Sequence, residues 1–346
     1  MNTSVFYALG AAALFGASTP LAKALGVGVS PVLLAGLLYL GSGLGLIVVR
    51  LIRDRGWQAS GLQPREWPWL IGAIVFGGVL GPVALMYGLT RTSAASASLM
   101  LNLESVLTAV LAWLVFKENA DRRIVLGMLA IVAGGVILAW PQGPAQAHSW
   151  IGPLAIALAC ACWAIDNNLT RNVSASDALF IAATKGLAAG SVNCIIAGVL
   201  GAKLPGIATL LPTFTVGFLG YGISLVLFVL ALRGLGTART GAYFSTAPFL
   251  GAAMAILILG EPVSLTFGIA ALLMAVGVSI HLLENHTHEH QHAPLIHSHR
   301  HVHDEHHQHE HAFEWDGTEP HSHEHQHLPI RHSHPHFPDI HHRHRH

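Results

Sequence analysis

The sequence predicts an all-α integral membrane protein: ten transmembrane helices forming two inverted five-helix repeats, followed by a disordered tail. Three observations lead there. The chain of 346 residues is 52% hydrophobic and 10% charged, with a mean hydropathy of +0.53, whereas soluble globular chains carry about 25% charged residues. Its apolar residues fall into runs of roughly 20, the length that crosses a ~30 Å hydrocarbon layer at ~1.5 Å per residue. All of its 25 histidines except His148 and His281 lie beyond residue 285, so the end of the chain has a chemistry of its own. These features divide the chain into a first repeat over 1–145, a second over 146–284 and a His-rich tail over 285–346.

Ten apolar segments can be drawn, at 5–25, 30–52, 69–90, 94–116, 123–140, 151–170, 178–200, 213–232, 237–259 and 264–283. The first lacks a basic leading region and is followed directly by further spans, so it reads as a span and not a secretory signal. Breaks such as Arg53-Asp54-Arg55, Lys117-Glu118-Asn119, Pro141-Gln142-Gly143-Pro144 and Gly260-Glu261-Pro262 separate the segments. Trp57, Trp67, Trp69, Trp140 and Trp150 sit near proposed span ends, where an amphipathic indole prefers the membrane interface. With both termini cytoplasmic, the inner loops hold Arg53, Arg55, Arg65, Arg122, Arg123, Arg171, Arg233 and Arg239, and the outer loops little beyond Arg91 and Lys203. This basic-residue bias favours that orientation in a cell (inner) membrane. Cys160, Cys162 and Cys194 fall within apolar runs and read as packing residues, with no disulfide framework.

Internal repetition supplies the topology. A shift of 143 residues lays ASASLMLNLESVLTAVLAWLVFKE (95–118) on ARTGAYFSTAPFLGAAMAILILGE (238–261), matching Ala95/Ala238, Leu107/Leu250, Ala109/Ala252, Ala112/Ala255, Leu114/Leu257 and Glu118/Glu261. A shift of 148 pairs Phe15 with Trp163, Leu21 with Leu169 and Lys23 with Arg171. Helices 1–5 thus repeat as 6–10, and an odd number of spans per repeat inverts the second copy. Inverted repeats place a transporter's site near the midplane, at the repeat interface.

Ten spans, a five-plus-five repeat and two small-rich helices that each end in an acidic residue resemble the EamA-type permeases of the drug/metabolite transporter superfamily. The resemblance covers residues 5–283; its best stretch is STAPFLGAAMAILILGEP (245–262), and the first copy departs from it with Ser105 where the second has Pro248. What it implies is export or exchange of small metabolites, with no single substrate.

Ionisable groups inside a membrane are costly and mark function by default. Glu104 lies halfway along the fourth span, beside Asn102, and is expected to alternate between protonated and charged forms as a pathway opens to each side. Asp166, Asn167 and Asn168 make a polar patch near the inner end of the sixth span. Lys185, two turns into the seventh span, is placed to pair with Asp166, as a gating, binding or charge-compensating partner. Lys23 reads mainly as an interfacial anchor, and Glu118 and Glu261 as capping or pairing groups at loop turns. No phosphate loop, nucleophile elbow or HExxH helix appears, so an enzyme is not expected.

The tail alternates histidine with other residues. Its candidate metal ligands are His286, His288, His290, His292, His297, His299, His301, His303, His306, His307, His309, His311, His321, His323, His325 and His327. Low hydrophobicity and five prolines argue against a packed fold there. Neutral imidazole suits nickel, zinc, cobalt or copper, so the tail is expected to bind transition metals, with no cofactor required. The first expectation is therefore a secondary transporter, an exporter of a small metabolite or divalent metal, with protons as coupling ion. The bilayer and the cargo are its partners, nucleic acid is not, and a homodimer is left open. The alternative is a membrane-anchored metal buffer or sensor in which the tail carries the function.

Overall fold

The protein is described by a computed structural model over residues 3–56, 60, 62–116, 122–140, 150–173, 176–282, 286–291, 295–301, 321–327 and 331–336. Among these residues, seven helical stretches are long and apolar enough to cross a membrane: Thr3–Leu25, Pro31–Asp54, Pro64–Leu89, Ala94–Leu111, Ile151–Thr170, Ala178–Val199 and Ile207–Ala231. Three shorter apolar helices, Val125–Ala139, Ala247–Leu259 and Leu265–Ile280, join them. Large apolar side chains such as Leu126, Leu158, Ile195 and Leu257 stay exposed on the helices' outer faces, an arrangement suited to lipid.

In chain order the helices are α1 (Thr3–Leu25), α2 (Pro31–Asp54), α3 (Trp67–Ala73), α4 (Gly81–Leu89), α5 (Ala94–Met100), α6 (Leu103–Phe116) and α7 (Arg122–Ala139). The second half continues with α8 (Ile151–Arg171), α9 (Ala178–Val199), α10 (Ile207–Val216), α11 (Ser224–Phe244), α12 (Ala247–Leu259) and α13 (Leu265–Leu282). The halves interleave: α2 packs along α9, α7 along α13, α1 between α11 and α12, and α4 against α8. The α2–α9 crossing is close because Gly43 meets Gly186; a Cβ on Gly43 would stand 2.4 Å from the Leu187 nitrogen.

Two π-helical turns interrupt the third and eighth spans, at Ile74–Leu80 and Gly217–Ile223. They lie 143 residues apart, the shift that aligns the fourth and ninth spans in sequence. Both of those spans are also broken. The first breaks at Leu101–Asn102, where the Ser105 hydroxyl donates to the Asn102 carbonyl at 2.7 Å.

The second break corrects the expected boundary between the eighth and ninth spans. The helix does not stop near Arg233–Gly236 but runs on to Phe244 and turns at Ser245–Thr246. The hydroxyls of Ser245 and Thr246 donate to the carbonyls of Gly241 and Tyr243. Pro248 then begins α12, where its missing N–H costs no helical bond.

In the tail the described residues fall into four short extended segments, β1 (His286–Gln291), β2 (Leu295–His301), β3 (His321–His327) and β4 (Arg331–His336). β1 pairs antiparallel with β4, and β2 with β3. The reason is the period: His-x-His repeats every second residue, as a strand does, and gives both strands of a pair the same alternation. Of the candidate tail ligands, His292, His303, His306, His307, His309 and His311 lie outside the described residues, as does Glu118.

Candidate functional site

The site is built against the first π-turn. A π-turn leaves backbone carbonyls without their usual helical donors, and a buried carbonyl needs a partner. Three side chains supply them. The Tyr39 hydroxyl, from α2, donates to the Gly77 carbonyl at 2.8 Å, and the Trp163 indole, from α8, donates to the same oxygen at 3.0 Å. The Asn193 amide, from α9, donates to the Gly78 carbonyl at 3.3 Å. The turn therefore fixes three neighbouring helices by polar contacts within the membrane layer.

Asp166 lies directly on this turn. A Cβ on Gly77 would come within 1.9 Å of Asp166 Oδ2, so only glycine lets the carboxylate sit there. The Lys185 ammonium, from α9, donates to Asp166 Oδ1 at 2.6 Å and Oδ2 at 2.8 Å. Thr170, one turn along α8, completes the group by donating to Asp166 Oδ1 at 2.8 Å and accepting from Lys185 at 3.2 Å. Asp166 and Lys185 are 8% and 5% exposed, so both charges are withdrawn from solvent and each answers the other.

Next to it is a second polar centre of opposite character. The Asn167 amide donates to Glu104 Oε1 at 2.8 Å, joining α8 to α6. Glu104 is partly buried, and Asn167 is exposed. The carboxylate is thus held through one oxygen by a neutral amide whose own residue lies exposed.

Of the residues singled out in the sequence, the fold brings together Glu104 with Asn167 and Asp166 with Lys185. It does not bring in the other two. Asn102 is buried, bonding to the Leu99 carbonyl and facing Met274 Sδ of α13. Asn168 returns its amide to the Ala164 carbonyl of its own helix at 2.8 Å. Sequence reasoning missed Thr170, Tyr39, Trp163 and Asn193; of these Thr170 alone left a signal, four residues after Asp166 on one helix face.

Sequence reasoning also missed an ionic cluster at the helix ends. Asp177 begins α9 and accepts there from the Leu179 backbone at 3.1 Å. It also accepts from Arg50 Nε at 2.9 Å and Arg53 Nη2 at 2.7 Å, both on α2. Burial works to raise the pKa of this carboxyl, but the hydrogen bonds from Arg53 and Arg50 outweigh it and hold the pKa at about 2.

Fold and site together define a polytopic helical membrane protein with charged groups held between its spans, the class to which carriers belong. The chain belongs to the EamA-like transporter family, whose sequence profile matches residues 2–140 and again residues 150–283. It is similar to an uncharacterised transporter of Methanothermobacter thermautotrophicus, 28% identical over 282 residues that cover 77% of this chain and 82% of that one. The ArnE protein of Pseudomonas aeruginosa, named as a probable flippase subunit for 4-amino-4-deoxy-L-arabinose-phosphoundecaprenol, is 42% identical over 89 residues, covering 26% of this chain and 73% of its own. A solved crystal structure shares the fold at a TM-score of 0.60 and 21% identity, covering 81% of this chain and 95% of that chain.

Proposed function

We propose that the chain is a secondary transporter that exports a small metabolite or divalent metal, with Glu104 as the group that exchanges a proton for cargo. The observation that carries this reading is the Glu104–Asn167 pair: a partly exposed carboxylate within a membrane-spanning stretch, held by one neutral amide. An intramembrane carboxyl without a fixed counter-ion serves a carrier, because either a proton or a cargo cation can neutralise it. The neighbouring Asp166–Lys185 pair satisfies itself and acts as the fixed wall of the site.

The family membership supports transport, and the double profile match supports two repeats, 1–145 and 146–284, in the inverted ten-helix arrangement. The basic-residue bias supports cytoplasmic termini in the inner membrane. The match to ArnE spans only about a quarter of the chain and brings no cargo with it. Among the described residues no three His, Cys, Asp or Glu side chains converge on one point, which favours a metabolite over a bare metal ion as the core's cargo.

The tail supports a second activity, transition-metal binding. The strand register sets His286 opposite His336, His288 opposite His334 and His290 opposite His332; in the other pair His297, His299 and His301 oppose His325, His323 and His321. Opposed positions of an antiparallel pair share one face, so each ladder lines up histidine positions suited to zinc, nickel, cobalt or copper. If this activity is the whole function, the chain is a membrane-anchored buffer or sensor.

Elemental mass spectrometry separates the two. Cells expressing the full chain, a chain stopped after Leu283, and Glu104→Gln at equal levels are compared for nickel, cobalt, zinc and copper. A content that changes with the intact core and reverts in Glu104→Gln assigns metal movement to the core. A content that follows the tail and ignores Glu104 makes the tail a buffer and turns the search for core cargo to metabolites.

A further inference from the structure

The fourth and ninth spans are held together at one end only. α5, the first part of the fourth span, packs lengthwise on α12, the last part of the ninth. α6 turns away to α8 and α7, and among the described residues nothing comparable joins it to α11.

The closed end carries a polar lock made of three elements. Glu261 follows α12, where Gly260 adopts the left-handed conformation (φ 65°) that ends the helix and turns the next residue back. Its two carboxylate oxygens accept from the backbone N–H groups of Ala94 and Ala95, each at 2.7 Å. Ser93 accepts from Ser96 at 3.1 Å, so the side chain of a distant loop completes the cap of α5. Lys23, at the end of α1, donates to the Thr92 carbonyl and lies close enough to Glu261 for their charges to interact. Charge-assisted bonds of this kind are about twice as strong as neutral ones.

We propose that Glu261, with Lys23, is the latch that shuts one end of the transport pathway, and that the structure shows the carrier latched there. This rests on the transport reading above. For this end to open, the latch must release, since α5 and α12 can separate only if Glu261 leaves the Ala94 and Ala95 amides. Glu261 is a positioning residue: it touches no cargo and sets which end is open. By the 143-residue shift its sequence counterpart is Glu118, and by the 148-residue shift the counterpart of Lys23 is Arg171.

The test needs no cargo, so its failure removes the latch and leaves the transport reading standing. Ser98, 1% exposed on α5, faces Gly251 of α12 across the closed end. Full-length Ser98→Cys in proteoliposomes is treated with a membrane-impermeant maleimide, and the label at each cysteine is located by peptide mass spectrometry. With Glu261 intact, labelling at position 98 is expected to be slow. Adding Glu261→Gln, which keeps the shape and loses one accepting oxygen, is expected to raise it about tenfold. Native Cys160, 0% exposed at the middle of α8 with its thiol donating to the Met100 carbonyl, should remain unlabelled in both. Unchanged labelling at position 98, fast labelling before Glu261 is altered, or a parallel rise at Cys160 would each overturn the latch.

Discussion

Asp166 and Asn167 are neighbours on α8, yet they serve two centres built on different principles. Asp166 is enclosed with Lys185 and Thr170 against a π-turn, all of its oxygens answered by donors. Asn167 reaches across to Glu104, a partly exposed carboxylate that it holds with a neutral amide. The difference separates, on the proposed reading, a charge answered within the fold from one left to exchange its partner. Two opposite charges that satisfy each other have no reason to change state. A carboxyl with a single neutral neighbour keeps both a proton and a cargo group as alternatives.

The sharpest way to break the closed centre is to take one charge from it. Lys185→Met leaves Asp166 buried and unanswered, and is expected to destabilise the protein by about 3–5 kcal/mol, read as a lower melting temperature in detergent. Combining it with Asp166→Asn should recover most of that loss, because no charge is then stranded. A double variant as unstable as Lys185→Met alone would mean the pair is not a self-contained unit.

Gly77→Ala attacks the same centre through its shape. The added Cβ meets Asp166 Oδ2 at 1.9 Å, so the carboxylate must move off the turn, at about 1–3 kcal/mol. Gly220 lies on the second π-turn at the equivalent place, against Ser18 and not against a charge. Gly220→Ala should therefore leave the Asp166–Lys185 pair intact, which the Lys185→Met increment measured in each background checks.

A smaller effect belongs to Asp177, which contrasts with both centres by lying at the helix ends. Its pKa in the folded chain, about 2, is below the ordinary 3.8. A group depressed in this way stabilises the fold fully above its unfolded value, and that contribution fades as the pH falls from about 4 toward about 2. Asp177→Asn should cost about 1–2 kcal/mol at neutral pH, an amount discounted for partial exposure, and should flatten the loss of stability between those two pH values. A variant as acid-sensitive as the parent would assign the slope to other carboxyls.

Much of this molecule was legible before its structure. The apolar runs placed the spans, and the expense of intramembrane charge pointed to Glu104, Asp166 and Lys185. The spacing of Asp166 and Lys185 from either side of one loop even suggested their pairing. The π-turns were not legible, because one extra residue in a turn barely disturbs a run that is apolar on every face. Tyr39, Trp163 and Asn193 were hidden for the same reason, since they answer carbonyls that only the π-turn leaves open. The Arg50–Asp177 contact joins residues 127 positions apart, which no local pattern announces. The break at Ser245–Thr246 lay within an apolar run, whereas Arg233 and two glycines offered a stronger and misleading boundary.

The most direct measurement of the contrast is carboxyl reactivity in the full-length protein in lipid. Dicyclohexylcarbodiimide enters the bilayer and modifies protonated carboxyls that it can reach, and mass spectrometry of peptides locates the adduct. The account predicts modification at Glu104, its loss in Glu104→Gln, and none at Asp166. Modification of Asp166 at a comparable rate, or an inert Glu104, would contradict it.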